Sequence, residues 1–136
     1  MKLVVDTNRL IAALVKDSYS RRILFSPRFD LLSIAITRRD IYNHEAELMR
    51  KSKLGKDQFE QLIDLLFGSI TLIDDSVLLP FMPQARAVMD SIDPDDTPFV
   101  AAALATNADA VWTEDPHFEG QTLVPVIHTK QLTPLL

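Results

Sequence analysis

Leu3-Val4-Val5-Asp6-Thr7-Asn8 is the stretch that decides the fold. Its three apolar residues are too few for a helix, and their unbroken run suits a strand buried on both faces of a sheet. Asp6, Thr7 and Asn8 stop that strand with residue types that cap helices, and Leu10 to Val15 reads as the helix they open. The same alternation continues downstream. A short helix is expected over Ser20 to Phe25, ending near Pro27, and Leu31 to Ile36 reads as a second strand with Thr37 as a cap. From Arg38 to about Lys53 the pattern is helical, and Gly55 breaks it. Asp57 to Phe67 sets Phe59, Leu62, Ile63, Leu66 and Phe67 at helical spacing, with Gly68 expected as its end. Ile70 to Ile73 forms a third strand and Gln84 to Asp90 a helix. After the acidic turn Asp93-Pro94-Asp95-Asp96 comes an Ala-rich, buried helix over Thr97 to Ala105. Asp109 to Thr113 and Val124 to Ile127 complete five strands.

Short apolar strands alternating with helices predict an α/β fold: a three-layer αβα sandwich around a central, mostly parallel sheet of about five strands. With 136 residues, the chain has the size of one domain, spanning 1–136, and can bury a core. No cysteine occurs, which excludes disulfides and thiolate metal sites. The N-terminal apolar run is too short for a signal peptide or a membrane span, so a soluble, cytoplasmic protein with no membrane partner is expected. Gly-rich phosphate loops are absent, which removes P-loop nucleotide hydrolysis, and no histidine has a zinc-type spacing. The net charge of −5 opposes direct binding of nucleic acid. Acids that hold divalent cations reverse that argument locally.

In an open parallel sheet the ligand crevice lies at the carboxyl ends of the strands, where strand order reverses. The residues expected there are acids. Asp6 follows the first strand, Asp93, Asp95 and Asp96 precede the Ala-rich helix, and Glu114-Asp115 follows the fourth strand. An acid after the second strand, from Asp40, Glu45 and Glu47, would complete the set. Clustered carboxylates repel unless a cation lies among them, and hard divalent ions prefer such oxygen ligands. Two such ions suit in-line attack of water on a phosphodiester. Each acid also has a plainer reading: Asp6 and Asp96 as helix caps, Asp93 and Asp95 as turn residues, Asp115-Pro116 as a turn.

At these residues the chain resembles the PIN-domain family over essentially its whole length. Val4-Val5-Asp6-Thr7-Asn8 is similar to the family's opening motif. Asp95-Asp96-Thr97-Pro98-Phe99-Val100-Ala101 resembles its third acidic motif, and Trp112-Thr113-Glu114-Asp115 its fourth. Asp40-Ile41-Tyr42-Asn43-His44 fits the second motif, where the family normally has Glu; Glu45 or Glu47 takes the role if the register differs. The resemblance implies a Mg²⁺- or Mn²⁺-dependent endoribonuclease, with many small relatives acting as toxins paired with an antitoxin. It implies catalytic acids Asp6, Asp40, Asp96 and Asp115, with metal held by Asp6, Asp96 and Asp115. Thr7, Asn8 and Thr113 would orient those ligands.

Arg38 and Arg39 are the first candidates for RNA contact, while Arg21, Arg22, Lys51, Lys53 and Lys56 fit solvated helix faces. His44 and His117 read as rim histidines, and Trp112 as core. The apolar face around Phe59, Leu62 and Phe67 serves either a homodimer or the chain's own core. Two other functions compete. One is a PIN-like module that binds RNA or protein without cutting; the other is a metal-dependent phosphatase, which usually needs an aspartate where Asn8 stands.

Overall fold

A computed structural model describes residues 1–16 and 18–136. β1 (Lys2–Val5), β2 (Asp30–Ile34), β3 (Ile70–Ile73), β4 (Ala110–Trp112) and β5 (Val126–Ile127) form one sheet in the order β3-β2-β1-β4-β5. Every pairing is parallel, with Val4 opposite Leu32 on one side and Val111 on the other. The unbroken apolar run of β1 follows from this central place. Leu3 and Val5 point into one core with Leu14, Phe59 and Trp112. Val4 points into the opposite core with Leu32, Val100 and Phe118. Successive side chains on a strand alternate faces, so both faces demand apolar residues here.

α1 (Thr7–Val15), α2 (Ser18–Leu24), α3 (Ile36–Asn43), α4 (Glu45–Ser52) and α5 (Lys56–Ser69) contribute to the first core. α6 (Asp75–Leu78), α7 (Met82–Met89) and α8 (Thr97–Thr106) cover the other face, and α9 (Thr129–Leu132) closes the first core through Leu132. The three-layer αβα sandwich expected from the sequence is therefore the observed one. α8 is buried at Phe99, Val100, Ala101, Ala102 and Ala103, because its small side chains let it lie close to the sheet. Asn107 ends it in the left-handed region (φ 53°), a conformation Asn tolerates better than most residues. Arg21 turns inward, its guanidinium donating to the Ala13 and Leu14 carbonyls at the end of α1.

Several boundaries differ from the sequence reading. β2 stops at Ile34, and Thr37 lies inside α3, its hydroxyl donating to the Ile34 carbonyl at 2.8 Å. The expected helix from Arg38 to Lys53 is two helices broken at His44. There the backbone N–H reaches back three residues to Ile41 O (3.2 Å), and the ring Nδ1 lies 2.9 Å from the Asp40 carbonyl that the N–H would otherwise bond. α5 does not end at Gly68 but runs through it to Ser69. β4 excludes Asp109 and Thr113, β5 begins only at Val126, and α6 and α9 are short helices without a long periodic signal. Phe59 belongs to the core, with Leu62 and Phe67 packed on it, so this face is largely intramolecular.

Candidate active site

The order β3-β2-β1-β4-β5 reverses between β1 and β4, and the carboxyl ends of those two strands deliver Asp6 and Thr113 side by side. Asp6 is 4% exposed. Its Oδ1 accepts from the Asn8 N–H at 3.3 Å, which caps α1, and its Oδ2 accepts from the Thr113 hydroxyl at 2.7 Å. That hydroxyl oxygen also accepts from the Asp115 N–H at 2.9 Å. One buried side chain thus fixes both an acid after β1 and the backbone of an acid after β4. Burial pushes the Asp6 carboxyl above its ordinary range, and the Asp115 charge adds to this; the hydrogen bonds and the Arg9 charge oppose it.

Asp96 comes from the other side, at the start of α8. The sequence allowed it a capping role, but its carboxylate caps nothing. It is buried, and Oδ2 has no hydrogen-bond partner. Burial first, then the charges of Asp93, Asp6 and Asp115, push its carboxyl up to about 7. His117 completes the group from the 3-10 turn Pro116–Gly120. Its Nδ1 lies 3.2 Å from Asp93 Oδ2, 3.4 Å from Asp115 Oδ1 and 3.6 Å from Asp96 Oδ2. The Asp115 charge leads in raising its proton affinity, with Asp93 and Asp96 adding to it. Donor atoms of Asp93, Asp96 and His117 lie within 4.8 Å of one another, a spacing that could hold a metal ion.

The structure therefore brings Asp6, Asp96 and Asp115 together with Thr113, and adds Asp93 and His117, which the sequence read as a turn residue and a rim histidine. Asp93 does both things: Oδ1 accepts from the Asp95 N–H at 3.0 Å, a turn bond, while Oδ2 faces His117. Asp40 is exposed on α3 and lines a cavity with Thr7, Asp95 and Phe99, neighbours in sequence of the clustered acids. Glu47 is exposed and paired with Lys51 at 3.0 Å, and Glu45 lines a separate cavity with Tyr42, Glu60 and Asp64. Arg38 lies over the Phe67 ring, 5.4 Å from its centre, and Arg39 lines a pocket with Asp75 and Arg86. A basic residue whose charge does act on the cluster is Arg9, felt by Asp6 and Glu114; its Nε is buried without a hydrogen-bond partner. Only its place one turn after Asp6 could have signalled it. Behind the site, His128 Nδ1 lies 2.8 Å from the Thr113 carbonyl and Nε2 2.7 Å from Glu119, and the Trp112 indole N–H donates to Thr129.

A PIN domain family profile matches residues 4–133, nearly the full chain. The chain belongs to the PIN-domain family. PIN domains are generally nucleases, and the acidic cluster of this one offers a possible divalent-metal site. No curated protein matches the chain. Among solved structures, a toxin–antitoxin complex from Klebsiella pneumoniae is similar at TM-score 0.65 and 15% identity, covering 93% of this chain and 97% of that one. At that identity the likeness is one of fold. Among the described residues, no helix is long and apolar enough to cross a membrane.

Proposed function

We propose that this PIN domain is a divalent-metal-dependent endoribonuclease that hydrolyses RNA phosphodiester bonds using Mg²⁺ or Mn²⁺. The observation that most supports this reading is Asp96 Oδ2, buried without a hydrogen-bond partner among three further aspartates, with only the His117 ring 3.6 Å away. An unsatisfied buried charge is expensive, and a hard cation relieves it with the oxygen ligands it prefers. We assign Asp6, Asp96 and Asp115 to hold such an ion, beside Asp93 and His117, whose ligand atoms lie within 4.8 Å of that of Asp96 and of one another. When bound, the ion polarises a phosphate oxygen and lowers the pKa of water.

The remaining roles fall to the chain's own groups. Thr113 holds Asp6 Oδ2, and the Asn8 N–H holds Oδ1, so the first acid keeps one orientation. Thr7 and Asp95 continue the cleft to Asp40, which we assign as the fourth acid. Asp40 is preferred to Glu45 and Glu47 because only Asp40 shares a cavity with residues adjoining the cluster. The aspartates around His117 raise its proton affinity, and when it carries the second proton it offsets part of the negative charge that would repel an RNA phosphate. In the hydrolysis a water oxygen bonds to phosphorus, one P–O ester bond breaks, and the leaving oxygen takes a proton. The toxin–antitoxin neighbour supports a toxin role with an antitoxin protein as partner, in the cytoplasm. A homodimer has the exposed apolar side chains Val77 and Leu79 available to it.

A second reading, an RNA- or protein-binding module without cleavage, has one observation in its favour. His117 already touches three of the carboxylates and needs no cation to do so. Incubating mixed RNAs with wild type and Asp6→Asn in Mn²⁺, Mg²⁺ or EDTA separates the two. Cleavage that requires metal and vanishes in the variant is expected. No cleavage of any RNA, together with no metal binding by calorimetry, would favour the binding module.

A further inference from the structure

Apart from the acidic cleft, a groove of about 590 Å³ lies between α1 and α4. Arg9, Lys16 and Lys51 line it over a floor that includes Ile11 and Leu48. No acid occurs among the described lining residues, although the chain carries a net charge of −5. Arg9 and Lys16 are seven residues apart on α1 and its cap, about two turns, so they share a face roughly 10 Å long. At its Asn8 and Arg9 end the groove adjoins the cluster, since the Asn8 N–H donates to Asp6 Oδ1 at 3.3 Å. The Arg9 Nε is also buried without a partner. Lys51 is paired with Glu47, but both are exposed, and such surface pairs yield readily to a phosphate.

We infer that this groove is the track for the sugar–phosphate backbone of single-stranded RNA, with Arg9, Lys16 and Lys51 as its phosphate contacts. The inference rests on the nuclease reading for its substrate but makes a separate demand on binding. A basic line with an apolar floor takes phosphates along its length and ribose or base faces beneath them. The net charge of −5 disfavours binding of the strand where no such basic line exists.

The test is fluorescence anisotropy with a short labelled single-stranded RNA in EDTA, using wild type and Lys16→Glu/Lys51→Glu. Neither lysine belongs to the carboxylate cluster. The double variant should bind about tenfold more weakly, and its log–log salt slope should fall by roughly 1.4, about 0.7 per lost contact. Lys56→Glu/Lys130→Glu makes the same charge change off the groove and should bind like wild type. In Mn²⁺ the groove variant should raise KM on RNA and leave kcat nearly unchanged. Equal weakening by both double variants, or none by the groove variant, would overturn the track. Wild type that binds poly-glutamate in this groove and no RNA would overturn it too, in favour of an acidic protein partner. Binding that depends on the groove without any cleavage would sink the nuclease reading and keep the track. Cleavage by a groove variant that binds RNA as wild type does would do the reverse. Lys16→Gln/Lys51→Gln, with unchanged urea stability, guards against misfolding and should weaken binding in the same direction.

Discussion

Replacing Asp96 by asparagine should make the metal-free protein more stable, although it removes a central acid of the cleft. The carboxyl of Asp96 is held at about 7 against an ordinary 3.8, by burial and by three neighbouring aspartates. A raised folded-state pKa means that the folded form prefers the proton more than the unfolded form does. The protonated acid is therefore tolerated fully below about pH 3.8, and stability is lost as pH rises through about 7. Three powers of ten in proton affinity amount to about 4 kcal/mol at most. The side chain is 12% exposed, so little solvent screening reduces this. Relaxation of the cluster does reduce it, and a gain of about 2–4 kcal/mol for Asp96→Asn near pH 8 is the expectation. Near pH 4 the gain should almost vanish. Urea unfolding of both proteins in EDTA at the two pH values measures this directly. Mn²⁺ at a hundredfold excess over Kd should then stabilise wild type by about 2.7 kcal/mol, and the variant by less. An Asp96→Asn protein less stable than wild type near pH 8, or a difference that ignores pH, would refute the argument from buried charge.

Thr113→Val keeps the shape of the side chain but deletes a hydroxyl that donates to Asp6 and accepts from the Asp115 N–H. A loss of about 2 kcal/mol is expected from two broken buried hydrogen bonds, one to a charged group, read by urea unfolding, with Thr113→Ser restoring most of it. Gly68→Ala should stabilise by about 0.5–1 kcal/mol, since Gly68 lies within α5 and a Cβ there meets nothing within 4 Å; a lower Tm would count against the helical assignment.

The sheet was readable because burial on both faces leaves a mark that local composition cannot hide. Leu3-Val4-Val5 and Leu31-Leu32 have apolar residues at every step, and each pair of neighbours serves opposite cores. Asp6 and Asp115 were readable for a related reason, since strand ends are where such a sheet gathers its chemistry. Asp93 was read at the same edge and as a turn residue, but its meeting with His117 was not readable. They stand 24 residues apart and meet only because the turns Pro94–Asp96 and Pro116–Gly120 aim both at one point, and turns of that kind have no periodicity to read. The break at His44 was hidden because a side chain competes there for the Asp40 carbonyl, while the apolar spacing of Ile41 and Leu48 continues across it. Arg38 and Arg39 flank Asp40 in sequence, yet α3 carries Arg38 towards Phe67 and Arg39 towards Asp75. Arg9 was obscured by its setting in an apolar helix.

β1 precedes the other four strands of the sheet in sequence, yet one of its two neighbours is β4, and Asp6 meets the Thr113 hydroxyl across 107 residues of chain. During synthesis, at about 5–20 residues per second, the N-terminal acid waits for most of the polypeptide before its partners exist. Such distant pairings form late, after the local helices. The carboxylates, with their mutual repulsion, are thus brought together only in the last stage of folding. A chain still being translated carries the acids of its first half without an assembled cleft.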